Sequence, residues 1–213
     1  MSKPLQYHLD LLLPGEYMII KKDMSGNSSL FYNAVEEGVT SKGISWNNVH
    51  ISYRENATYS VRDRTIPWLI GSGIDIGCGK EKVMEGCVGV DSNDDYGDQS
   101  DADVVCDATD LAQFESDSFD WAFSSNCLEH IGNWEKALSE WVRVVGPGGI
   151  IFLYLPWPDK CYPHSSENTP GHLWNPSPGI LRVELERRGV DILEQDSEPD
   201  RWGCFVIIGR KRG

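Results

Sequence analysis

The chain has 213 residues, a formal net charge of -14 at pH 7 and a hydrophobic content of 40%. This length suits one α/β domain with additional segments, and the hydrophobic content is sufficient for a packed core. The negative charge repels phosphate backbones, so nucleic acid is not an expected partner. No apolar run is long enough to span a membrane, and Asp10, Pro14 and Glu16 interrupt the first apolar stretch, unlike a signal peptide. We expect a cytoplasmic protein without membrane contact, whose oligomeric state the sequence does not indicate.

The 6 cysteines are spread along the chain and form no CxxC pair. This pattern is typical of buried thiols in a reducing compartment and not of a disulfide framework. Cys161, His164 and His172 are close enough in the sequence to be considered as zinc ligands, but no fourth ligand is evident. Ordinary loop residues are the favoured interpretation, and no metal is expected.

The first 60 residues are irregular in pattern. An apolar run at 17–20, a stretch rich in Gly, Ser and Asn at 25–29, and an alternating run at 49–53 indicate short strands and turns. We therefore expect a β-rich or mixed N-terminal cap or extension at 1–60, followed by an α/β domain at 61–213.

From about residue 60, short apolar strands alternate with helices. Ser60 and Asp63 resemble a capping box that opens a helix ending at Ile70. A helical stripe at 134–145 is followed by a Gly-Pro-Gly-Gly turn that we expect to terminate it. Strands are predicted at 73–77, 88–91, 103–106, 119–124, 150–155, 190–193 and 205–208, with a last helix at 179–188.

This alternation predicts a mostly parallel, seven-stranded sheet with helices on both faces. The last two strands are separated only by a polar loop. Parallel strands need a longer crossover, so these two are expected to form an antiparallel hairpin at the edge of the sheet.

Three strand ends have residues suited to a nucleoside ligand. The turn Gly77-Cys78-Gly79 follows the first strand, and glycines let the backbone approach a ligand without a Cβ in the way. Asp91 ends the second strand, where a carboxylate can accept both ribose hydroxyls; a surface Asp in an acid-rich loop is the alternative. Asp107 follows the third strand, where it can accept from an adenine amino group or cap the next turn.

These segments occur in an order that resembles class I S-adenosyl-L-methionine-dependent methyltransferases, most closely the type 11 group. The resemblance covers roughly residues 70–195 and lies in GIDIGCG (73–79), VGVD (88–91), CDATDL (106–111), FDWAFSSNCLEHI (119–131) and WVRVVGPGGIIFLYLP (141–156). It implies a Rossmann-like fold and S-adenosyl-L-methionine as the cofactor. The cofactor-binding residues expected with it are Asp75, Gly77, Cys78, Gly79, Asp91, Ser92, Asp107, Ala108, Ser124, Ser125 and Asn126.

The chain departs from the family pattern after Gly79, because Lys80 and Glu81 stand where a further glycine is common. Only about eight residues then precede the second strand, so the first crossover helix must be very short. A basic residue of the preceding helix, Arg62 or Arg64, is expected to replace the missing contacts to the methionine carboxylate. Arg62 is the candidate.

Methyl transfer requires an aligned acceptor, methyl group and sulfur more than any particular catalytic residue. A base is needed only when the acceptor is protonated, and His130 is the candidate, with a structural hydrogen bond as the alternative role. Glu129 either contacts a ligand or is a helix-start acid. Residues 156–174 contain three aromatic residues, two histidines and four prolines, and are expected to form a lid. The expected acceptor-binding residues are Trp157, Tyr162, His164, His172 and Trp174, with packing of the loop as the alternative for the two tryptophans.

The expected acceptor is a small molecule such as a sugar, a lipid precursor or a metabolite. The Ser-Ser-Asn that ends the fourth strand lacks the Asx-Pro-Pro-aromatic signature of DNA amino-methyltransferases. Two alternatives remain: an NAD(P)-dependent oxidoreductase, against which the missing third glycine weighs, and a non-catalytic S-adenosylmethionine-binding module, for which the short first helix leaves room.

Overall fold

The computed structural model describes residues 18–22, 28–32, 44–46, 49–51, 57–92, 100–159, 171–200 and 202–213. The chain divides into two compact units, Met1–Asn56 and Ala57–Gly213. No helix in the described parts of the chain is long and apolar enough to cross a bilayer.

The described residues of the first unit are β-strands. Strand β1 (Met18–Lys22) pairs antiparallel with β2 (Ser28–Tyr32), and β3 (Ile44–Trp46) pairs antiparallel with β4 (Val49–Ile51). The described segments of the first 56 residues are thus strands, and their role as a cap or extension stays a prediction.

The second unit begins with helix α1 (Ala57–Thr65), which starts three residues before the predicted N-cap. The prediction that Ser60 opens this helix is therefore wrong, and the predicted boundary at residue 60 falls inside the helix. A Ser-x-x-Asp match rests on only two residues and does not fix where a helix begins. Ala57 and Thr58, which precede Ser60, already have helical conformation. The helix also ends at Thr65, well before the predicted Ile70, and turns connect it to the sheet.

The central sheet has seven strands, as the sequence predicts. They are β5 (Gly73–Ile76), β6 (Val88–Asp91), β7 (Val104–Val105), β8 (Phe119–Ser125), β9 (Val145–Pro156), β10 (Val190–Gln195) and β11 (Cys204–Lys211), in the spatial order β10-β11-β9-β8-β5-β6-β7. Strand β11 runs antiparallel to both of its neighbours, and the other pairs are parallel. The Rossmann-like, mostly parallel sheet with an antiparallel hairpin at its edge is confirmed.

Side chains of the central strands alternate between two hydrophobic layers. One layer contains Ile74 and Ile76 and is packed with the buried residues of α2 (Trp134–Val144) and α3 (Pro178–Arg187). The other contains Trp121 and Phe123 of β8 together with Val61 of α1. Because a strand has a period of two residues, helices are required on both faces to cover these layers.

The Gly-Pro-Gly-Gly segment does not terminate a helix, contrary to the prediction. Helix α2 ends at Val144, and residues 146–149 already belong to β9, beside β8. A Cβ on Gly149 would lie 2.6 Å from the carbonyl oxygen of Asp120. Glycine is therefore needed here because the two strands approach closely, at the register shift between Phe119 and Trp121.

The first crossover contains no helix, whereas the sequence predicts a very short one. Residues 77–87 are all described and consist of turns and bends. Side-chain contacts help to hold them: for example, the carboxylate of Asp75 accepts from the Val83 N–H at 2.6 Å, and Lys82 Nζ lies 2.9 Å from Asp103 Oδ2. These side-chain contacts thus stabilise the link where a crossover helix is usual.

Candidate functional site

The strand order places a topological switch point at β5. From β5 the chain continues outward through β6 and β7, and it then returns to the other side of β5 through β8. In open α/β sheets a ligand binds beyond the carboxyl ends of the strands at such a point. The ends of β5, β6 and β8 therefore define the candidate site.

The glycine turn and the acid of the second strand are in direct contact. Gly77 and Gly79 have φ angles of +75° and +57°, in the left-handed region that favours glycine. The Gly79 N–H donates to Asp91 Oδ2 at 2.8 Å. A Cβ on Gly77 would lie 2.4 Å from the Cys127 sulfur, so no larger residue fits between the ends of β5 and β8.

The third strand end adjoins the second through the backbone, because the Cys106 N–H donates to the Asp91 carbonyl at 3.0 Å. The exposed Asp107 accepts from the Thr109 N–H at 2.7 Å through Oδ1, which is the turn-capping role considered as its alternative. The Ala108 carbonyl accepts from Trp141 Nε1 at 2.9 Å, so a fully buried tryptophan fixes this turn. The structure thus brings together the three strand ends that the sequence selected; contact of Asp107 with adenine stays a prediction.

The residues that end β8 have different environments. Ser124 is fully buried and its hydroxyl donates to the Ile76 carbonyl at 2.8 Å, which ties β8 to β5. The hydroxyl of Ser125 is buried and has no hydrogen-bond partner among the described residues. Asn126 has a φ of +45°, and its N–H donates to the Tyr154 carbonyl at 2.9 Å. Ser124 therefore supports the site, whereas Ser125 offers an unused donor.

Asp75 lies inside β5 and is only 2% exposed. Burial raises the pKa of this carboxyl to about 7, although the Val83 N–H and the nearby Arg62 act in the opposite direction. The Arg62 guanidinium donates to the Lys82 carbonyl at 2.9 Å and lies 3.5 Å from Glu81. Arg62 is thus placed beside the first crossover, while Arg64 pairs with Asp196 and Glu194 near the edge strand β10.

Replacing Asp75 by asparagine should change how stability depends on pH. The folded pKa of about 7 lies above the ordinary value of 3.8, so the native state binds the extra proton and stability falls as pH rises between these values. Asparagine keeps an oxygen that accepts from Val83 but does not titrate. Between pH 5.5 and 8, urea unfolding should show that wild type loses about 2 kcal/mol more than Asp75→Asn. Parallel stability curves for the two proteins would contradict this assignment.

The expected acceptor side comprises the 3₁₀ turn Leu128–His130 and residues 171–174. The Leu173 N–H donates to the Glu129 carbonyl at 2.8 Å, and Trp174 Nε1 donates to the Leu128 carbonyl at 2.8 Å. Trp174 also stacks on Trp134, with ring centroids 4.1 Å apart. These contacts give Trp174 the packing role considered as its alternative.

The other residues expected to bind the acceptor do not form one group in the structure. Trp157 is partly buried and meets Phe205 edge to face at 5.8 Å, again a packing contact. His130 and His172 lie together, with ring centroids 4.8 Å apart. Tyr162 and His164, together with Cys161, lie outside the described residues. The other five cysteines are free thiols.

Glu129 is the residue whose environment the sequence does not reveal. It is fully buried, and burial raises the pKa of its carboxyl to about 8. An acid in a short polar turn is ordinarily exposed. In the sequence Glu129 stands out only because His130 follows it. That pairing does not predict that residues 171–174 pack against the turn and bury the Glu129 side chain.

Comparisons with known proteins agree with this geometry. Residues 74–153 match the type 11 family model described as a methyltransferase domain. Over 60 residues the chain is 36% identical to phosphoethanolamine N-methyltransferase 2 of Caenorhabditis elegans; the match covers 27% of this chain and 14% of that protein. The chain thus spans only a small part of the curated relative it matches.

Two solved structures illustrate the fold. A SAM-dependent methyltransferase from Archaeoglobus fulgidus is 21% identical, with a TM-score of 0.57 over 75% of this chain and 95% of that chain. The 1,6-didemethyltoxoflavin-N1-methyltransferase of Burkholderia thailandensis, solved with its namesake ligand and S-adenosylhomocysteine, is 16% identical, with a TM-score of 0.55 over 75% and 80% of the two chains. The family match over residues 74–153 and the strand order identify a class I S-adenosyl-L-methionine-dependent methyltransferase domain in this part of the chain.

Proposed function

We propose that the chain transfers a methyl group from S-adenosyl-L-methionine to a small-molecule acceptor bound beyond the ends of β5 and β8. The observation that supports this most directly is the 2.8 Å contact between the Gly79 N–H and Asp91 Oδ2. This contact brings the glycine turn and Asp91 together at one edge of the sheet, which supports the proposal that one adenosyl ligand contacts both.

The residues present fit this cofactor. Positive φ angles and the tight approach of Cys127 leave a backbone cradle at Gly77 with no room for a side chain. In this proposal Asp91 accepts the ribose hydroxyls, and the turn at Asp107 and Ala108 borders the adenine. On the methionine side Ser125 supplies a buried hydroxyl that has no hydrogen-bond partner among the residues that the structure describes. The bound cofactor supplies an electrophilic methyl group on a sulfonium.

His130 suits the role of a base for an acceptor that begins protonated. Its Nδ1 lies 3.2 Å from the Gly171 carbonyl oxygen. Since a carbonyl only accepts, Nδ1 holds the proton and Nε2 of the neutral ring is left unprotonated. A positioned imidazole with a free nitrogen contributes about 10²–10⁴-fold when a proton must be removed.

A small molecule is the acceptor class that the observations favour. The charge of -14 disfavours a nucleic acid substrate, and the matched part of the curated relative belongs to a protein named for phosphoethanolamine. Sugars, lipid precursors and other metabolites form the panel to be tested.

Calorimetric titration with S-adenosylhomocysteine and with NADH separates the proposal from its alternatives. We expect S-adenosylhomocysteine to bind at one site and NADH to give no heat of binding. Release of S-adenosylhomocysteine from S-adenosylmethionine, followed across the acceptor panel, then identifies the substrate. Tight cofactor binding without turnover on any acceptor would favour the non-catalytic module, and NADH binding would contradict the proposal.

A further inference from the structure

A cluster of three side chains at the end of β8 takes no part in the cofactor contacts described above. It consists of Glu129, His130 and His172, here called the Glu-His-His cluster. Each residue offers one ligand atom, and these atoms lie within 4.8 Å of one another. Glu129 Oε1 is 4.0 Å from Nε2 of His130 and 3.9 Å from Nε2 of His172, which is too far for a hydrogen bond. The three groups therefore converge without Glu129 bonding either imidazole.

The carboxyl group of Glu129 is the member that most needs a partner. It is fully buried, and neither of its oxygens has a hydrogen-bond partner in any other described residue. A buried carboxyl without a partner costs several kcal/mol. The backbone of Glu129 is nevertheless held in place, because its carbonyl accepts from the Leu173 N–H. A fixed, buried carboxyl that lies close to two imidazoles but forms no hydrogen bond with them is suited to share a cation with them.

The hydrogen bond of His130 prepares its ring as a ligand. Because the Gly171 carbonyl accepts from Nδ1, the lone pair of the neutral ring lies on Nε2, the nitrogen nearer to Glu129. Metal-binding histidines commonly donate their other N–H to a backbone carbonyl, which fixes both tautomer and ring orientation. Gly171 has a φ of +93°, so a left-handed turn presents this carbonyl to the ring.

We propose that Glu129, His130 and His172 bind a divalent transition metal ion of the zinc type, with one coordination position open to a ligand. Two histidines and one glutamate are a ligand set of zinc sites that keep an open position. Ligand atoms around tetrahedral zinc lie roughly 3.4 Å apart. The two separations from Glu129 therefore need to contract by about 0.5 Å, and the largest separation in the cluster, 4.8 Å, by about 1.4 Å. Half of the His130 side chain is exposed, which leaves one side of the cluster accessible.

This inference goes beyond the proposed function, because methyl transfer itself requires no metal. In the metal-bound site Nε2 of His130 is a ligand and no longer a base, so the ion takes over the activation of a protonated acceptor. The cluster adjoins Asn126 and the end of β8, where the acceptor is expected. A metal ion there orients an acceptor through a hydroxyl, carboxylate or phosphate oxygen and lowers the pKa of a bound hydroxyl. The open coordination position would thus select acceptors with an oxygen donor.

The test uses the full chain after treatment with a chelator, titrated with Co²⁺ and followed by visible absorption. Zn²⁺ is titrated by calorimetry in parallel. We expect one equivalent to bind and to give the intense absorption of four-coordinate Co²⁺. Glu129→Gln and His172→Asn should each weaken binding by more than about 10-fold. The matched control Glu135→Gln, an exposed glutamate in the first turn of α2, should bind as wild type does.

Either of two outcomes would contradict the proposed metal site. In the first, neither Co²⁺ nor Zn²⁺ binds stoichiometrically. In the second, the ions bind, but Glu129→Gln and His172→Asn do not change their affinity. Zn²⁺ should also raise the thermal unfolding temperature of wild type but not of His172→Asn, which decides the matter if Glu129→Gln does not fold. S-adenosylhomocysteine affinity is measured on the same samples. If wild type does not bind S-adenosylhomocysteine, the proposed function is refuted, whereas the conclusion on metal binding is unaffected.

Discussion

Asp91→Ala is expected to weaken binding of S-adenosylhomocysteine by about 10- to 150-fold, or about 1.5–3 kcal/mol. The substitution removes the proposed acceptor for the ribose hydroxyls. It also removes the acceptor for the Gly79 N–H, so that the glycine turn loses the contact that holds it against β6. Calorimetric titration of both proteins with S-adenosylhomocysteine measures the change.

Two further variants separate these effects. Asp91→Asn keeps an oxygen for the Gly79 N–H but removes the charge, so its affinity should fall between those of wild type and Asp91→Ala. Asp191→Ala removes an exposed aspartate of β10, at the opposite edge of the sheet, and should bind as wild type does. An unchanged dissociation constant in Asp91→Ala would remove this residue from the site.

Gly73→Ala should produce the largest loss of stability, about 3 kcal/mol in urea unfolding. An added Cβ would lie 1.9 Å from the indole ring of Trp121, which is fully buried in the adjacent strand and is the register partner of Gly73. A ring so enclosed cannot turn away, so the strands must separate or the ring must leave its rotamer.

Gly179→Ala is the matched control, because nothing lies within 4 Å of a Cβ at that position in α3. It should change the free energy of unfolding by less than about 1 kcal/mol, in the stabilising direction, since alanine favours helix. Trp121→Leu tests the cause: in that background Gly73→Ala should cost less than in wild type. Equal costs in both backgrounds would show that the clash with the indole is not responsible.

The regular elements of the second unit follow closely from local pattern. The apolar residues 137, 138, 141 and 142 lie on one face of α2 and are all buried, as their helical spacing predicts. Predictions from the sequence were wrong for residues whose role depends on a partner elsewhere in the chain. Gly149 looks like part of a helix stop, yet it is a glycine because Asp120 of the adjacent strand is close.

The same division applies to the site. Gly77 and Asp91 were predictable because their roles follow from where a strand ends, and the structure brings their segments into contact. Ser124 was predicted to line the cofactor pocket, but its hydroxyl donates to the Ile76 carbonyl, which only the pairing of β8 with β5 can show. The burial of Glu129 likewise depends on residues more than forty positions away. Its isolation was therefore invisible in the sequence.

The helix-free first crossover alters how the site meets a negative charge. In most nucleotide-binding α/β folds a helix begins directly after the glycine turn, and its macrodipole places roughly half a positive charge at the bound anion. Residues 77–87 form only turns, so no such aligned array of peptide dipoles points at the end of β5. Attraction for a ligand carboxylate must then come from individual N–H groups and cationic side chains. Dissolved salt screens the interaction with exposed cationic side chains more strongly than an interaction with a buried helix end.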